Sequence, residues 1–180
     1  MRSLQPFTCM LETPKPHPAA VSAIGMPTHL MPGQWHVGRS GLLKTLLGSC
    51  VGITIWSPQC KVGGMCHYLL PNRARRGIEP LDGRYGDEAL VLMVQALKQL
   101  GCPPEGCTAH LYGGANTLPD GLARSFNVGE RNIEQAWTLL ERYGLNLDRV
   151  DVGDHVPRTV MLSLLTGDVT MTRGRSIHRA

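Results

Sequence analysis

The sequence predicts an α+β domain built on a mixed or antiparallel β-sandwich with flanking helices. Three observations carry that reading. Short β-branched and apolar runs come in adjacent pairs separated by turn residues, only two stretches carry a helical period, and the strand-like runs outnumber the helical ones without alternating with them.

The first 32 residues hold six of the 13 prolines and show neither a helical nor a strand period, so residues 1–34 are expected to form a mobile Pro-rich tail. A single domain is expected from residue 35 to residue 180. Residues 51–56 (VGITIW) are short, β-branched and aromatic and predict a strand, with residues 61–70 as its partner. Between them Ser57-Pro58-Gln59-Cys60 suits a tight turn, because Pro58 presets φ at the second position. Residues 87–100 read as a helix, with Leu90, Met93, Leu97 and Leu100 on one stripe and Gly101 as the stop. Residues 108–112 predict a strand running into Gly113-Gly114. Residues 130–143 predict a second helix with Ile133, Trp137, Leu140 and Tyr143 on its apolar stripe and Gly144 beyond it. Residues 159–165 and 169–172 flank Thr166-Gly167-Asp168, a hairpin signal.

Composition narrows the function classes. The net charge of +4, from 18 basic and 14 acidic residues, is mild. The basic residues are scattered apart from Arg73, Arg75 and Arg76 and the trio Arg173, Arg175 and Arg179, so no nucleic-acid partner is expected. The N-terminal stretch lacks the apolar core of a signal peptide, and no apolar run is long enough for a spanning helix. The expectation is a cytoplasmic protein, without direct membrane insertion, whose six cysteines are reduced.

One cysteine stands apart. Cys50 follows Gly48-Ser49 and precedes the first strand of the hairpin, and His67 lies in the second. A tight turn centred on Pro58-Gln59 places Cys50 directly across from His67, whereas a bulge at Gly63-Gly64 shifts that register by one. A thiol beside an imidazole is the arrangement of a cysteine nucleophile: a neighbouring imidazolium lowers the thiol pKa, and the ring handles the protons. The glycine at 48 lets the backbone approach a substrate, and N–H groups around Gly48, Ser49 and Cys50 are candidate donors to an oxyanion. Cys50, Cys60, Cys66 and His67 could supply zinc ligands, but neighbours Cys66 and His67 point to opposite faces and no CxxC knuckle exists, so neither metal nor cofactor is expected. Gly113-Gly114-Ala115 lacks the dinucleotide-loop pattern and suits a tight turn beside a site. His110 and His155 are read as structural. Asp151 and Asp154 fit a turn better than a metal pair.

Five blocks, LLGSCVGITIW, KVGGMCHYLLP, HLYGGAN, VGERNIEQAWTLLERYGL and VDVGDHVPRTV, resemble the chemoreceptor glutamine deamidases, the CheD family, over residues 35–173. The resemblance implies a thiol amidohydrolase that needs no cofactor. Its reaction converts particular glutamines of methyl-accepting chemotaxis receptors to glutamate, with methyl-ester hydrolysis as a possible side activity. It implies Cys50 as nucleophile, forming a thioester, His67 as its histidine, and a threonine shortly upstream, carried over to Thr45. It implies the sandwich fold shared with some deamidase toxins. The receptor cytoplasmic domains are the implied substrate, and a CheC-type chemotaxis phosphatase is an implied partner. The alternative reading is a weakly catalytic or non-catalytic partner of that phosphatase. A different thiol hydrolase, such as a cysteine peptidase, would use the same two residues. The sequence departs from the family pattern at Asp154 and Pro157, where glycines are usual.

Overall fold

A computed structural model describes residues 25–75, 78–116 and 127–175. Most of the expected tail, residues 1–24, and the last five residues lie outside the described residues. Among the described residues nine strands form two sheets: β1 (Thr28–His29), β2 (Trp35–Gly38), β3 (Leu42–Leu47), β4 (Val51–Ser57), β5 (Val62–Tyr68), β6 (Thr108–Gly113), β7 (Asn146–Val152), β8 (Arg158–Ser163) and β9 (Val169–Arg173). Two helices, α1 (Gly86–Gln99) and α2 (Val128–Arg142), complete the α+β architecture with a short 3-10 turn at Pro104–Gly106. One sheet has the order β1-β3-β8-β9 and the other β2-β5-β4-β6-β7. Pairings are antiparallel except β1 with β3 and β6 with β7.

The central hairpin organises the core. Along β4, alternate residues face opposite ways, so Val51, Ile53 and Ile55 pack with Leu90, Met93, Leu97 and Leu140 of the helices. The other face of the five-stranded sheet meets the four-stranded one, where Met65 and Tyr112 pack with Leu43, Leu47, Val160 and Leu162. The molecule is therefore three layers: helices, five strands, four strands. Gly86 opens α1 against the ring of Tyr68; a Cβ there would stand 2.8 Å from the ring.

Both predicted helices, the central hairpin, the strand at 108–112 and the terminal hairpin are present. Four details differ from expectation. The central turn is wider than two residues: the Lys61 N–H donates to the Ser57 carbonyl at 2.9 Å, and Lys61 adopts φ 51°. Ser57 therefore pairs with Val62, and Gly52, not Cys50, stands opposite His67. Because the slip is by two residues, Cys50 keeps the face of His67 and becomes its diagonal neighbour.

Residues 28–34, assigned to the tail from sequence, pair and pack. Leu30 is 5% exposed, its N–H bonds Lys44 O, and Gly33 N–H bonds His67 O. Trp137, placed on the buried stripe of α2, is 46% exposed; the helix buries Asn132, Ala136, Leu139 and Leu140 instead. Strands β3 and β7 have no strand signature in the sequence. In β3 the inward positions are Leu43, Thr45 and Leu47, while Leu46 is 64% exposed. A buried hydroxyl and an exposed leucine invert the alternation.

Candidate active site

Strand β5 carries His67 on the face that meets the four-stranded sheet, and β3 of that sheet carries Thr45 inward. Their side chains meet between the layers. The Thr45 hydroxyl lies 2.7 Å from His67 Nδ1 and 2.8 Å from the Leu30 carbonyl. These contacts fix the protons. The Leu30 carbonyl accepts only, so the single Thr45 proton points at it. The lone pairs of Thr45 Oγ1 then face Nδ1, which must carry the ring proton; the same Leu30 carbonyl stands 3.4 Å from Nδ1 and accepts as well. The neutral ring is thus the Nδ1–H tautomer, with the free lone pair on Nε2. Nε2 is buried and has no hydrogen-bond partner among the described residues. Burial pushes the ring pKa down from its ordinary 6.5, against a smaller opposing effect of the Leu30 carbonyl.

Cys50 occupies the short loop between β3 and β4, half-buried, and packs against the intersheet core. Diagonal neighbours on antiparallel strands are about 7 Å apart at Cβ. Gly52, across from His67, sets no side chain between the two. Burial raises the thiol pKa above its ordinary 9.0. Burial thus favours the neutral form of both groups, because each has lost water.

The loop is held by its carbonyls. Gly48 O accepts from Ala115 N at 2.8 Å, Ser49 O from Asn132 Nδ2 at 3.3 Å, and Cys50 O from Gly114 N at 2.7 Å. No described residue accepts from the N–H of Gly48, Ser49 or Cys50. A trans peptide points its C=O and N–H in opposite directions. Anchoring the Gly48 and Ser49 carbonyls therefore turns the Ser49 and Cys50 N–H groups away from the anchors. The Gly113-Gly114-Ala115 turn supplies two anchors, which is why it adjoins the site. Gly113 has φ 104°, and a Cβ there would collide with the Cys50 carbonyl.

The structure brings Thr45, Gly48, Ser49, Cys50 and His67 to one region. Sequence reasoning did not single out Leu30, whose carbonyl sets the tautomer, or Asn132, whose only signal was its place in the GERN block. Asn132 is fully buried on α2 and also donates to Leu69 O at 2.8 Å. His110 and His155 lie elsewhere: His110 faces Asp148 and Tyr112, and the His155 ring contacts Asn116 O. Asp154 adopts φ 62°, a left-handed conformation that explains why glycine is usual there. Asp151 lies in β7 and pairs with Arg158 and Arg173; burial works to raise its carboxyl pKa, but the two guanidinium hydrogen bonds outweigh it and hold it low. No cluster of three or more metal-ligating side chains occurs among the described residues.

The fold and site define an α+β chain with a cysteine, a histidine and a threonine gathered where two sheets meet. A family model described as CheD chemotactic sensory transduction matches residues 69–173. The chain is 42% identical to the probable chemoreceptor glutamine deamidase CheD 1 of Chromobacterium violaceum, over 89% of this chain and 90% of that one. It is 44% identical to the corresponding CheD of Pseudomonas fluorescens, over 78% of this chain and 80% of that one. The chain belongs to the CheD family. Among solved structures, a Neisseria meningitidis protein of the DUF152 family aligns with TM-score 0.41 at 11% identity, over 67% of this chain and 53% of that one, a likeness too distant to bear on function.

Proposed function

We propose that this protein is a chemoreceptor glutamine deamidase that hydrolyses glutamine side-chain amides of methyl-accepting chemotaxis receptors to glutamate. The observation that carries the reading is the Thr45–His67 pair, which presents an unpartnered Nε2 on the face shared with Cys50.

In this mechanism the Cys50 side chain turns toward Nε2, which takes the thiol proton as Sγ attacks the carboxamide carbon. The N–H groups of Ser49 and Cys50 hold the oxyanion. The imidazolium, steadied by Thr45 at Nδ1, gives its proton to the departing nitrogen, and ammonia leaves a thioester. His67 then deprotonates water, the hydroxide adds to the thioester carbon, and collapse returns the proton to Sγ. One water is consumed, and one ammonia and one glutamate are formed. None of these steps calls for a metal or a cofactor.

The direct test incubates the protein with a receptor cytoplasmic fragment and follows ammonia release together with the amide-to-acid mass change at individual glutamines. Wild-type protein releases ammonia without cutting the backbone, and Cys50→Ala releases none. A cut backbone would favour the peptidase reading, and full activity of Cys50→Ala would reject the assignment.

The cytoplasm, where receptor signalling domains lie, is the compartment this reading requires, and no described helix is long and apolar enough to cross a membrane. A CheC-type phosphatase as second partner rests on the family resemblance alone; capture of that phosphatase by Cys50→Ala, with no deamidation by wild type, would favour the partner role instead.

A further inference from the structure

The nucleophile loop is tied to its surroundings by three carbonyls, and only one of the three anchors is a side chain. Ala115 and Gly114 donate through their backbone; Asn132 donates through Nδ2. The carbonyl it holds, Ser49 O, shares a peptide plane with the Cys50 N–H.

Asn132 is oddly placed for a residue with a merely structural part. It is fully buried on α2, a position where an aliphatic side chain would pack without polar cost. Its Nδ2 reaches Ser49 O at 3.3 Å and Leu69 O at 2.8 Å, so it spans the nucleophile loop and the segment just past His67. Its Oδ1 is buried without a partner among the described residues. Turning the amide over would set Oδ1 against two carbonyl oxygens, so the observed orientation is the only stable one. An amide that keeps one buried orphan is retained for its two donors. Its backbone carbonyl also accepts from the Tyr68 hydroxyl at 2.6 Å, which fixes this turn of α2 to β5 beside His67.

We propose that Asn132 is a positioning residue for the deamidation reaction: by holding the Ser49 carbonyl from the helix layer, it aims the Cys50 N–H at the oxyanion. This rests on the deamidase reading above. The inference predicts a specific pattern. Loss of Asn132 weakens stabilisation of the tetrahedral species and leaves the thiol's own reactivity in place, since alkylation by iodoacetamide forms no oxyanion.

The experiment compares wild type, Asn132→Ala and Tyr68→Phe with a receptor cytoplasmic fragment, measuring kcat and KM by ammonia release and, separately, the alkylation rate of Cys50. Expected for Asn132→Ala is a kcat lowered by about 10²-fold, in the range seen when one oxyanion donor is lost. KM and the alkylation rate stay close to wild type. Tyr68→Phe, which loosens the helix turn that carries Asn132 but leaves its Nδ2 donor, lowers kcat by less than Asn132→Ala does. Near-UV circular dichroism and urea midpoints give the folded fraction, so partial misfolding is corrected for. If Asn132→Ala does not fold, Asn132→Leu, an aliphatic side chain of similar size with no donor, replaces it, with the same kcat loss expected. An unchanged kcat, or an alkylation rate falling in step with kcat, overturns the proposal. Wild type that releases no ammonia defeats the deamidase reading and this inference with it, whereas an active wild type beside an equally active Asn132→Ala defeats this inference alone.

Discussion

The Thr45 hydroxyl on one sheet and Nδ1 of His67 on the facing sheet stand 2.7 Å apart, a hydrogen bond that both joins the layers and selects the imidazole tautomer. Thr45→Val keeps the volume and removes the acceptor. The expected result is a kcat lowered by about 10²-fold, of the size general-base catalysis contributes. Thr45→Ser, which keeps the hydroxyl, retains most activity. Ammonia-release kinetics on the two variants separate tautomer control from packing.

The pH profile follows from the burial of both groups. Burial lowers His67 below its ordinary 6.5, so the acid limb of kcat/KM has its midpoint below pH 6.5. Burial raises Cys50, so its alkylation by iodoacetamide keeps accelerating past pH 9.0. Stability moves with the same ring. The unfolded chain protonates His67 first, so its contribution is complete above about pH 6.5 and is lost as pH falls from there toward the folded-state value. Urea midpoints of wild type and His67→Gln across this range test the sign: the acid-side loss is smaller in the variant.

Gly113→Ala forces a left-handed φ of 104° on a residue with a Cβ and drives that carbon into the Cys50 carbonyl. It is expected to cost about 1–3 kcal/mol of stability. It also displaces the nucleophile loop, so deamidation falls by more than the folded fraction does. Denaturant titration alongside active-site alkylation measures both.

Arg158 is fully buried and bonds Asp151 at 2.8 Å, with Gly153 and Val156 carbonyls at 2.7 and 2.8 Å. Removing it leaves Asp151 with only the exposed Arg173 and three acceptors short of a donor. Arg158→Ala is expected to destabilise by about 3–5 kcal/mol, read from the urea midpoint. By contrast Trp137→Ala, on an exposed face of α2, is expected to cost less than about 1 kcal/mol.

Periodic segments were legible in the sequence because their burial follows simple geometry. The central hairpin alternates cleanly, and α1 places Leu90, Met93 and Leu97 on the buried stripe. The parts that escaped are those where the site overrides the pattern. Strand β3 buries a threonine whose hydroxyl bonds His67, and so it does not read as a strand. Strand β7 is a polar edge strand in parallel register with β6, a pairing no turn announces. The hairpin register was misread because Lys61 takes a left-handed φ that nothing in SPQCK requires. Cys50 and His67 were legible because residue types and a shared strand face suffice to relate them. The Asn132 anchor was not, because it joins residues 83 positions apart through a helix.

The Leu30 carbonyl belongs to the main chain, so no side-chain exchange can delete it. It reaches the base from a segment that precedes β2, outside the boundary a pattern-based trimming would choose. A version of the protein shortened to begin at Trp35 would keep Cys50, His67 and Thr45, yet free the threonine proton to turn toward the ring. The imidazole would then adopt the opposite tautomer and lose its basic nitrogen on the thiol side.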